Sequence, residues 1–238
     1  SPEAPTTNRI EQYIAFVQKA DKRQLLIDLI EGQMVACGIV FTRTKHGANR
    51  LAKQLSKVGI PSDSIHGDKS QTARTRALNA FRNGDVFILV ATDIASRGID
   101  VEDITHVFNF DLPNEPEVYI HRIGRTARAG RDGLAYSFCD ETESGYLVGI
   151  QRLLGEEIEV LEDQPYHFEK ARPKPGQKPG RVKGAPVGGR SRRGTGRGGS
   201  MRRYNRGGQK RNEHNQRSNG QRTDRSHNQR SSKPGHKS

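Results

Sequence analysis

The chain has 238 residues, with 40 Lys+Arg against 27 Asp+Glu and a formal net charge of +13. The charge is unevenly placed: residues 1–163 carry 19 basic and 24 acidic side chains, a net of −5, while residues 164–238 carry 21 basic and 3 acidic, a net of +18. That split predicts one globular domain over 1–163 and a basic tail over 164–238; no apolar run approaches the ~20 residues of a membrane helix, and two cysteines are too few for a disulfide framework or a zinc cage.

The first residues, Ser1-Pro2-Glu3-Ala4-Pro5-Thr6-Thr7, are polar and carry no secretory signal. With no initiator Met, residues 1–20 read as the lead-in from an upstream part that is absent. Arg9 to Val17 is extended in character. Residues 22–31 then set Leu25, Leu26, Leu29 and Ile30 on one helical stripe. Gly38-Ile39-Val40-Phe41 is a short strand. Residues 45–58 form a helix on Ala48, Leu51, Ala52 and Leu55, stopped by Gly59. Ser64-Ile65-His66 is a weak strand, and Ser70 opens a helix whose inner face is Ala73, Ala77, Ala80 and Phe81. Val86 to Ala91 is an unbroken apolar run that asks for cover on both faces. Thr105 to Phe110 and Ala135 to Phe138 are further strands. Asp140 with Glu143 makes a capping-box pattern before Tyr146, Leu147, Ile150, Leu153 and Leu154, and Gly155 follows.

Strand and helix in alternation predict an α/β fold: an open, mostly parallel sheet with helices on both faces. Ligands bind such sheets beyond the carboxyl ends of the strands. The segments to inspect are therefore 42–46, 66–74, 92–100, 111–116 and the basic stretch 121–131. Beyond residue 163 the periodicity stops. Thirteen of the 26 glycines lie in those last 75 residues, and from Arg190 onward the only large apolar side chains are Met201 and Tyr204. Such a composition is that of a disordered Arg/Gly/Asn-rich segment, and its charge suits a polyanion, nucleic acid above all. Cys37 and Cys139 sit inside apolar runs and are expected to be buried thiols, which fits a reducing cytoplasm.

Three segments could carry chemistry. In His121-Arg122-Ile123-Gly124-Arg125-Thr126-Ala127-Arg128-Ala129-Gly130-Arg131, Arg122, Arg125 and Arg128 recur every third residue and share one face if the turn is helical. The stretch is either a solvated basic face or a set of guanidinium forks for phosphate. Charge runs are usually solvated surface; against that stand the lack of interleaved carboxylates and the close approach that Gly124 permits. Thr92-Asp93-Ile94-Ala95-Ser96-Arg97-Gly98-Ile99-Asp100 is either a capped turn or a phosphate-holding one, with Asp100 able to accept from a ribose hydroxyl. Asp93 and Asp100 do not read as a glycosidase acid pair, because no sugar-binding aromatics accompany them. In His66-Gly67-Asp68-Lys69-Ser70-Gln71-Thr72-Ala73-Arg74, Gln71 and Arg74 stand three apart at a helix start, suited to a phosphate backbone, while Ser70 is equally a plain cap.

Together these segments resemble the C-terminal RecA-like domain of DEAD-box RNA helicases over roughly residues 6–160. The matching stretches are Ile39-Val40-Phe41, His66-Gly67-Asp68 with Gln71 and Arg74, Ala91-Thr92-Asp93 through Arg97-Gly98-Ile99-Asp100, Val107-x-Asn109-x-Asp111-x-Pro113, and His121-Arg122-x-Gly124-Arg125-x-x-Arg128. The tail is similar to that of bacterial RhlE-type members. The resemblance implies that Arg125 and Arg128 act as arginine fingers on the γ-phosphate of ATP. It implies that His121 couples that site to the partner domain, that Asp100 and Gly98 bind the nucleotide ribose, and that Thr92, Gly67, Gln71 and Arg74 hold RNA backbone without reading sequence. ATP and Mg2+ are the implied cofactors, with the metal held mainly by the family's first RecA-like domain, since this sequence contains no phosphate loop and no Asp-Glu-Ala-Asp run. No metal site is expected here. Ala127 departs from the family, where Gly is more usual; a helical turn tolerates Ala, and only a positive φ makes it harmful.

The partners so implied are RNA and that first domain, with no membrane, in an ATP-dependent RNA helicase of which this chain is one lobe, inactive alone. A different class remains open: a non-enzymatic RNA-binding or RNA-chaperone protein acting through its tail. A dinucleotide enzyme is disfavoured by the missing Gly-x-Gly-x-x-Gly turn.

Overall fold

The central strands are short and buried along their whole length, so the chain can bury them only inside a sheet covered on both faces. The computed structural model, which describes residues 9–96, 101, 103–127 and 132–180, shows how. The elements are β1 (Ile10–Phe16), α1 (Lys22–Gly32), β2 (Gly38–Phe41), α2 (Lys45–Lys57), β3 (Ser62–Ile65), α3 (Gln71–Arg82), β4 (Ile88–Ala91), α4 (Asp93–Ser96), β5 (His106–Asn109), α5 (Pro116–Ile123), β6 (Gly133–Cys139), α6 (Ser144–Leu154) and β7 (Glu159–Val160). The sheet has seven strands in the order β3-β4-β2-β5-β6-β1-β7, every pairing parallel.

Alternation in the strands divides the core. Ile39, Phe41, Leu89 and Ala91 face a layer holding Ala77 and Phe81 of α3, Tyr119 and Ile123 of α5, and Leu147 and Ile150 of α6. Val40, Val90, Phe108 and Phe138 face the other way, onto Leu25 and Leu26 of α1 and Ala48, Leu51 and Leu55 of α2. The α/β expectation therefore holds, and the sheet is wholly parallel among the described residues.

Details differ. β4 covers only Ile88–Ala91; Phe87 N donates instead to Pro61 O, and the Phe87 side chain is exposed. On α1 the buried positions are Lys22, Leu25, Leu26, Ile27 and Ile30, with Leu29 only half-buried. On α3 only Ala77 and Phe81 are buried, not Ala73 or Ala80. Cys139 is buried and Cys37 half-buried. Burial pushes the Cys37 thiol up to about 11, with Asp103 adding to the effect, and pushes Cys139 up as well.

Ordered packing also runs past residue 163. Phe168 N donates to Phe16 O at 2.9 Å, Val17 bridges to His167, and Ala171 is fully buried. Gly180 N then reaches Gly145 O on α6 at 2.8 Å. The boundary placed at 163 is thus too early: residues 164–180 form a strap on the domain. Their few apolar side chains are spaced irregularly, so no periodic pattern marks them. The expected disorder of the tail beyond 180 lies outside the described residues.

Candidate nucleic-acid and nucleotide interface

Because all strands run the same way, the segments after β2, β3, β4, β5 and β6 emerge along one edge. Gly67, Gln71, Arg74 and Thr92 come together there. Ser70 Oγ accepts from Ala73 N at 3.2 Å and so caps α3, exposing Gln71 on its first turn. Arg74 Nη2 donates to Ala95 O at 3.4 Å, tying α3 to α4. Thr92 N donates to Ile65 O at 3.3 Å, which holds the post-β4 turn against the post-β3 turn. A Cβ placed on Gly67 would meet nothing within 4 Å, so this chain's own packing does not demand glycine there, and a ligand's approach could.

Behind that edge, His66 Nε2 and Ser64 Oγ both bond to Asn49 Oδ1, at 3.0 and 2.6 Å. Burial, with Lys69 nearby, lowers the His66 pKa. Asp68 pairs with Lys45, and that hydrogen bond holds its carboxyl below the usual range.

The arginine segment starts at the end of α5. Helix α5 ends at Ile123, with Gly124 as its C-cap. The buried Thr126 Oγ1 donates to Ile104 O at 2.6 Å and Thr105 O at 3.1 Å, at the amino ends of β5 and β6. Of segment 121–131, described as far as Ala127, Arg122 thus meets the carboxyl-edge residues Asp93 and Asp111, as expected from sequence, while Thr126 reaches back to the start of β5. His121 is exposed, and Arg125 Nε donates to His121 O at 3.1 Å, which fixes the guanidinium plane. Arg128, Gly98 and Asp100 lie outside the described residues, and so does Arg97.

Nor do Arg122 and Arg125 share a helical face, because the helix stops between them. Arg122 is 2% exposed and fully committed to the fold. Its Nε and Nη2 grip Asp93 at 2.6 and 2.9 Å. Nη1 donates to Asn109 Oδ1 at 3.1 Å and to Asp111 O at 2.7 Å, and the guanidinium lies 5.0 Å from the Phe41 ring centroid. The neutralising carboxylate absent from the local sequence comes from Asp93, 29 positions away. Ala127 has φ +54°, the left-handed region, so the condition under which Ala is strained is met.

A second buried cluster was not foreseen. Lys22 is fully buried and pairs with Glu143 at 2.5 Å and Asp140 at 3.1 Å. Glu143 Oε1 also accepts from Arg43 Nη2 at 2.6 Å and Leu112 N at 3.1 Å. Burial opposes the Lys22 charge, but Glu143, Asp140 and Asp111 outweigh it, and the ammonium's pKa is raised. The capping box is only half made: Asp140 N approaches Glu143 Oε2 at 3.4 Å, while the Asp140 carboxylate accepts from Thr142. No local pattern points from Lys22 to a partner 121 positions on.

Comparison with known proteins gives the arrangement a family. A family model for the helicase conserved C-terminal domain matches residues 21–130. The crystal structure of the E. coli DEAD-box protein SrmB bound to regulator of ribonuclease activity A aligns with TM-score 0.62 and 36% identity, over 72% of this chain and 98% of that one. The chain belongs to the DEAD-box protein family. S. cerevisiae Dbp5, in a structure bound to RNA and ADP BeF3, aligns with TM-score 0.61 and 34% identity over 67% of this chain and 43% of Dbp5. The DEAD-box ATP-dependent RNA helicase CshA of Geobacillus kaustophilus is 44% identical over 156 residues, 66% of this chain. The chain spans 33% of the length of that curated relative. The DEAD-box part described here is the family's C-terminal helicase domain, with a wholly parallel seven-stranded sheet.

Proposed function

We propose that this chain is the second lobe of an ATP-dependent DEAD-box RNA helicase. In this reading Gly67, Gln71, Arg74 and Thr92 hold RNA backbone at the carboxyl edge. Arg125, with Arg128, faces the γ-phosphate of ATP seated on a first RecA-like lobe. His121 sits between Arg125 and that lobe, and Asp100 and Gly98 take the ribose. The observation that carries the reading is the buried Arg122–Asp93 pair, which anchors the end of α5, and so Arg125, to the same turn after β4 that carries Thr92. A lobe so built can bind a strand through the turns after β3 and β4 while Arg125 meets a nucleotide. Closure on both ligands then aligns the guanidinium groups with the charge that develops during phosphoryl transfer. In this reading Mg2+ is held mainly by the first lobe.

Alone, the lobe neither hydrolyses ATP at a useful rate nor unwinds a duplex. The segment 181–238, with 17 basic and 2 acidic side chains, is an RNA tether of the RhlE type. The compartment we assign is the cytoplasm, supported by two free cysteines, one buried and one half-buried.

The test joins this sequence to its first lobe and compares wild type with Arg125→Ala. RNA-stimulated ATP hydrolysis is expected to fall by a factor on the order of 10³ or more, with RNA binding kept. Wild-type hydrolysis in the variant overturns the assignment.

A further inference from the structure

The strap 164–180 does more than cover β1. Its end is seated on a glycine face of α6: a Cβ at Gly145 would lie 3.0 Å from the Gly180 backbone, and one at Gly149 would lie 3.2 Å from Pro116 and 3.8 Å from Pro179. Gln177 Nε2 donates to Ser144 Oγ at 2.8 Å, and Gly180 N to Gly145 O. Between the strap and the segment after β6 lies a groove of about 590 Å³ lined by Glu141, Ser144, Lys170, Arg172, Lys174 and Gln177. Arg172 is occupied by Glu162 at 3.0 Å and Glu169 at 3.1 Å. Lys170 and Lys174 are different: both are exposed, and among the described residues neither ammonium has a hydrogen-bond or ion-pair partner.

We propose that this groove is a phosphate-binding subsite for RNA, in which Lys170 and Lys174 carry the strand from the carboxyl edge toward the basic segment that begins at residue 181. This rests on the helicase reading above and adds a place to it. Position favours RNA over other polyanions. Glu141 and Ser144 follow β6, so the groove opens on the same edge as Gly67 and Thr92. In the order β3-β4-β2-β5-β6 it lies four strand spacings from β3, roughly 19 Å at ~4.8 Å each, a span that a strand of a few nucleotides crosses. The chain leaves the groove at Gly180 and continues into a segment with 17 basic and 2 acidic residues. Glu141 is the one carboxylate among the lining residues, so the lining favours an anion. Two lysine point charges without a bidentate fork suit backbone phosphate rather than a particular base.

The experiment uses the full chain and a single-stranded oligouridylate. Lysine acetylation is followed by mass spectrometry with and without RNA. Lys170 and Lys174 are expected to become several-fold less reactive when RNA binds, together with Lys45 at the carboxyl edge, while Lys57 at the far end of α2 is unchanged. The double variant Lys170→Gln/Lys174→Gln is expected to lower RNA affinity and to flatten the slope of log K against log salt by about 1.4, two phosphates at ~0.7 each for a single strand. Protection of Lys45 without protection of Lys170 and Lys174, with a wild-type salt slope in the double variant, removes the groove and leaves the helicase reading standing. Protection of none of the three overturns both.

Discussion

Arg122 and Asp93 form a two-pronged ion pair, Nε to Oδ1 at 2.6 Å and Nη2 to Oδ2 at 2.9 Å, that locks the last turn of α5 to the segment after β4. The same guanidinium holds Asn109 Oδ1 and Asp111 O. It thus sets where α5 ends, and with it where Arg125 starts. The Asp93 side chain is 38% exposed and can rehydrate when its partner is lost, whereas the buried Asn109 cannot. Arg122→Ala is therefore expected to cost about 3 kcal/mol, the lower end of the range for breaking a buried pair. Arg122→Lys keeps the charge but not the fork, and is expected to recover only part. Urea unfolding measures both; an Arg122→Ala midpoint equal to wild type contradicts the role.

The Lys22 cluster gives the second expectation. Lys22→Met leaves Glu143 and Asp140 without the ammonium that compensates their burial, at an expected cost of about 3–5 kcal/mol. Adding Glu143→Gln removes one of the stranded charges and is expected to restore part of that loss, although Arg43 then loses its partner. Thermal melts of the single and double variants decide it. A double variant less stable than the sum of its parts runs against the coupling.

How legible these features are depends on how local their causes are. Leu25, Leu26 and Ile30, or Ala48, Leu51 and Leu55, mark their helices because a helical period brings them to one face. The motif residues Gly67, Gln71, Arg74 and Thr92 could be read as one site because parallel strands put every following turn on one edge. Arg122 and Arg125 could not be told apart, since their spacing says one face and only the helix end at Ile123 separates them. Glu143 looked like a local cap because its partners Lys22, Arg43 and Leu112 come from distant parts of the chain. The strap had no period to show: it is held by backbone bonds to Phe16 and Gly145, which any sequence with the right glycines can make.

Ala127 tests backbone strain. At φ +54° an L-residue costs about 1–2 kcal/mol over glycine. Yet its methyl is 5% exposed and sits in the core layer beneath α5 and α6, which returns about 0.8 kcal/mol. Ala127→Gly is accordingly expected to shift stability by no more than about 1 kcal/mol, once the glycine's extra freedom in the unfolded chain is counted. Ala127→Val adds a branched side chain in the same strained, packed position and is expected to destabilise by more than about 2 kcal/mol. Similar melting temperatures for the Gly and Val variants contradict the left-handed turn.

The buried histidines set a pH dependence. His106 is lowered by burial, and its Nε2 has no partner among the described residues. His66 is lowered by burial and by Lys69, with Lys45 and His46 acting the same way and Asp68 opposing. A group whose folded pKa lies below its unfolded value adds stability above the unfolded value, near ~6.5 for histidine, and that stability is lost as pH falls toward the folded value. Asp140 adds a second loss at lower pH. Burial raises its pKa, but bonds from Thr142 and the Lys22 ammonium outweigh that and hold it low. The domain is therefore expected to melt at lower temperature at pH 5.5 than at pH 7.5, and to lose more below pH 4. His106→Phe keeps a ring to stack on Phe108 and Tyr136, now 6.0 and 6.5 Å from His106, and removes the unpartnered nitrogen. It is expected to gain about 1 kcal/mol and to flatten the change between pH 7.5 and 5.5, leaving the His66 part. An unaltered pH profile in His106→Phe shows that His106 carries none of the dependence.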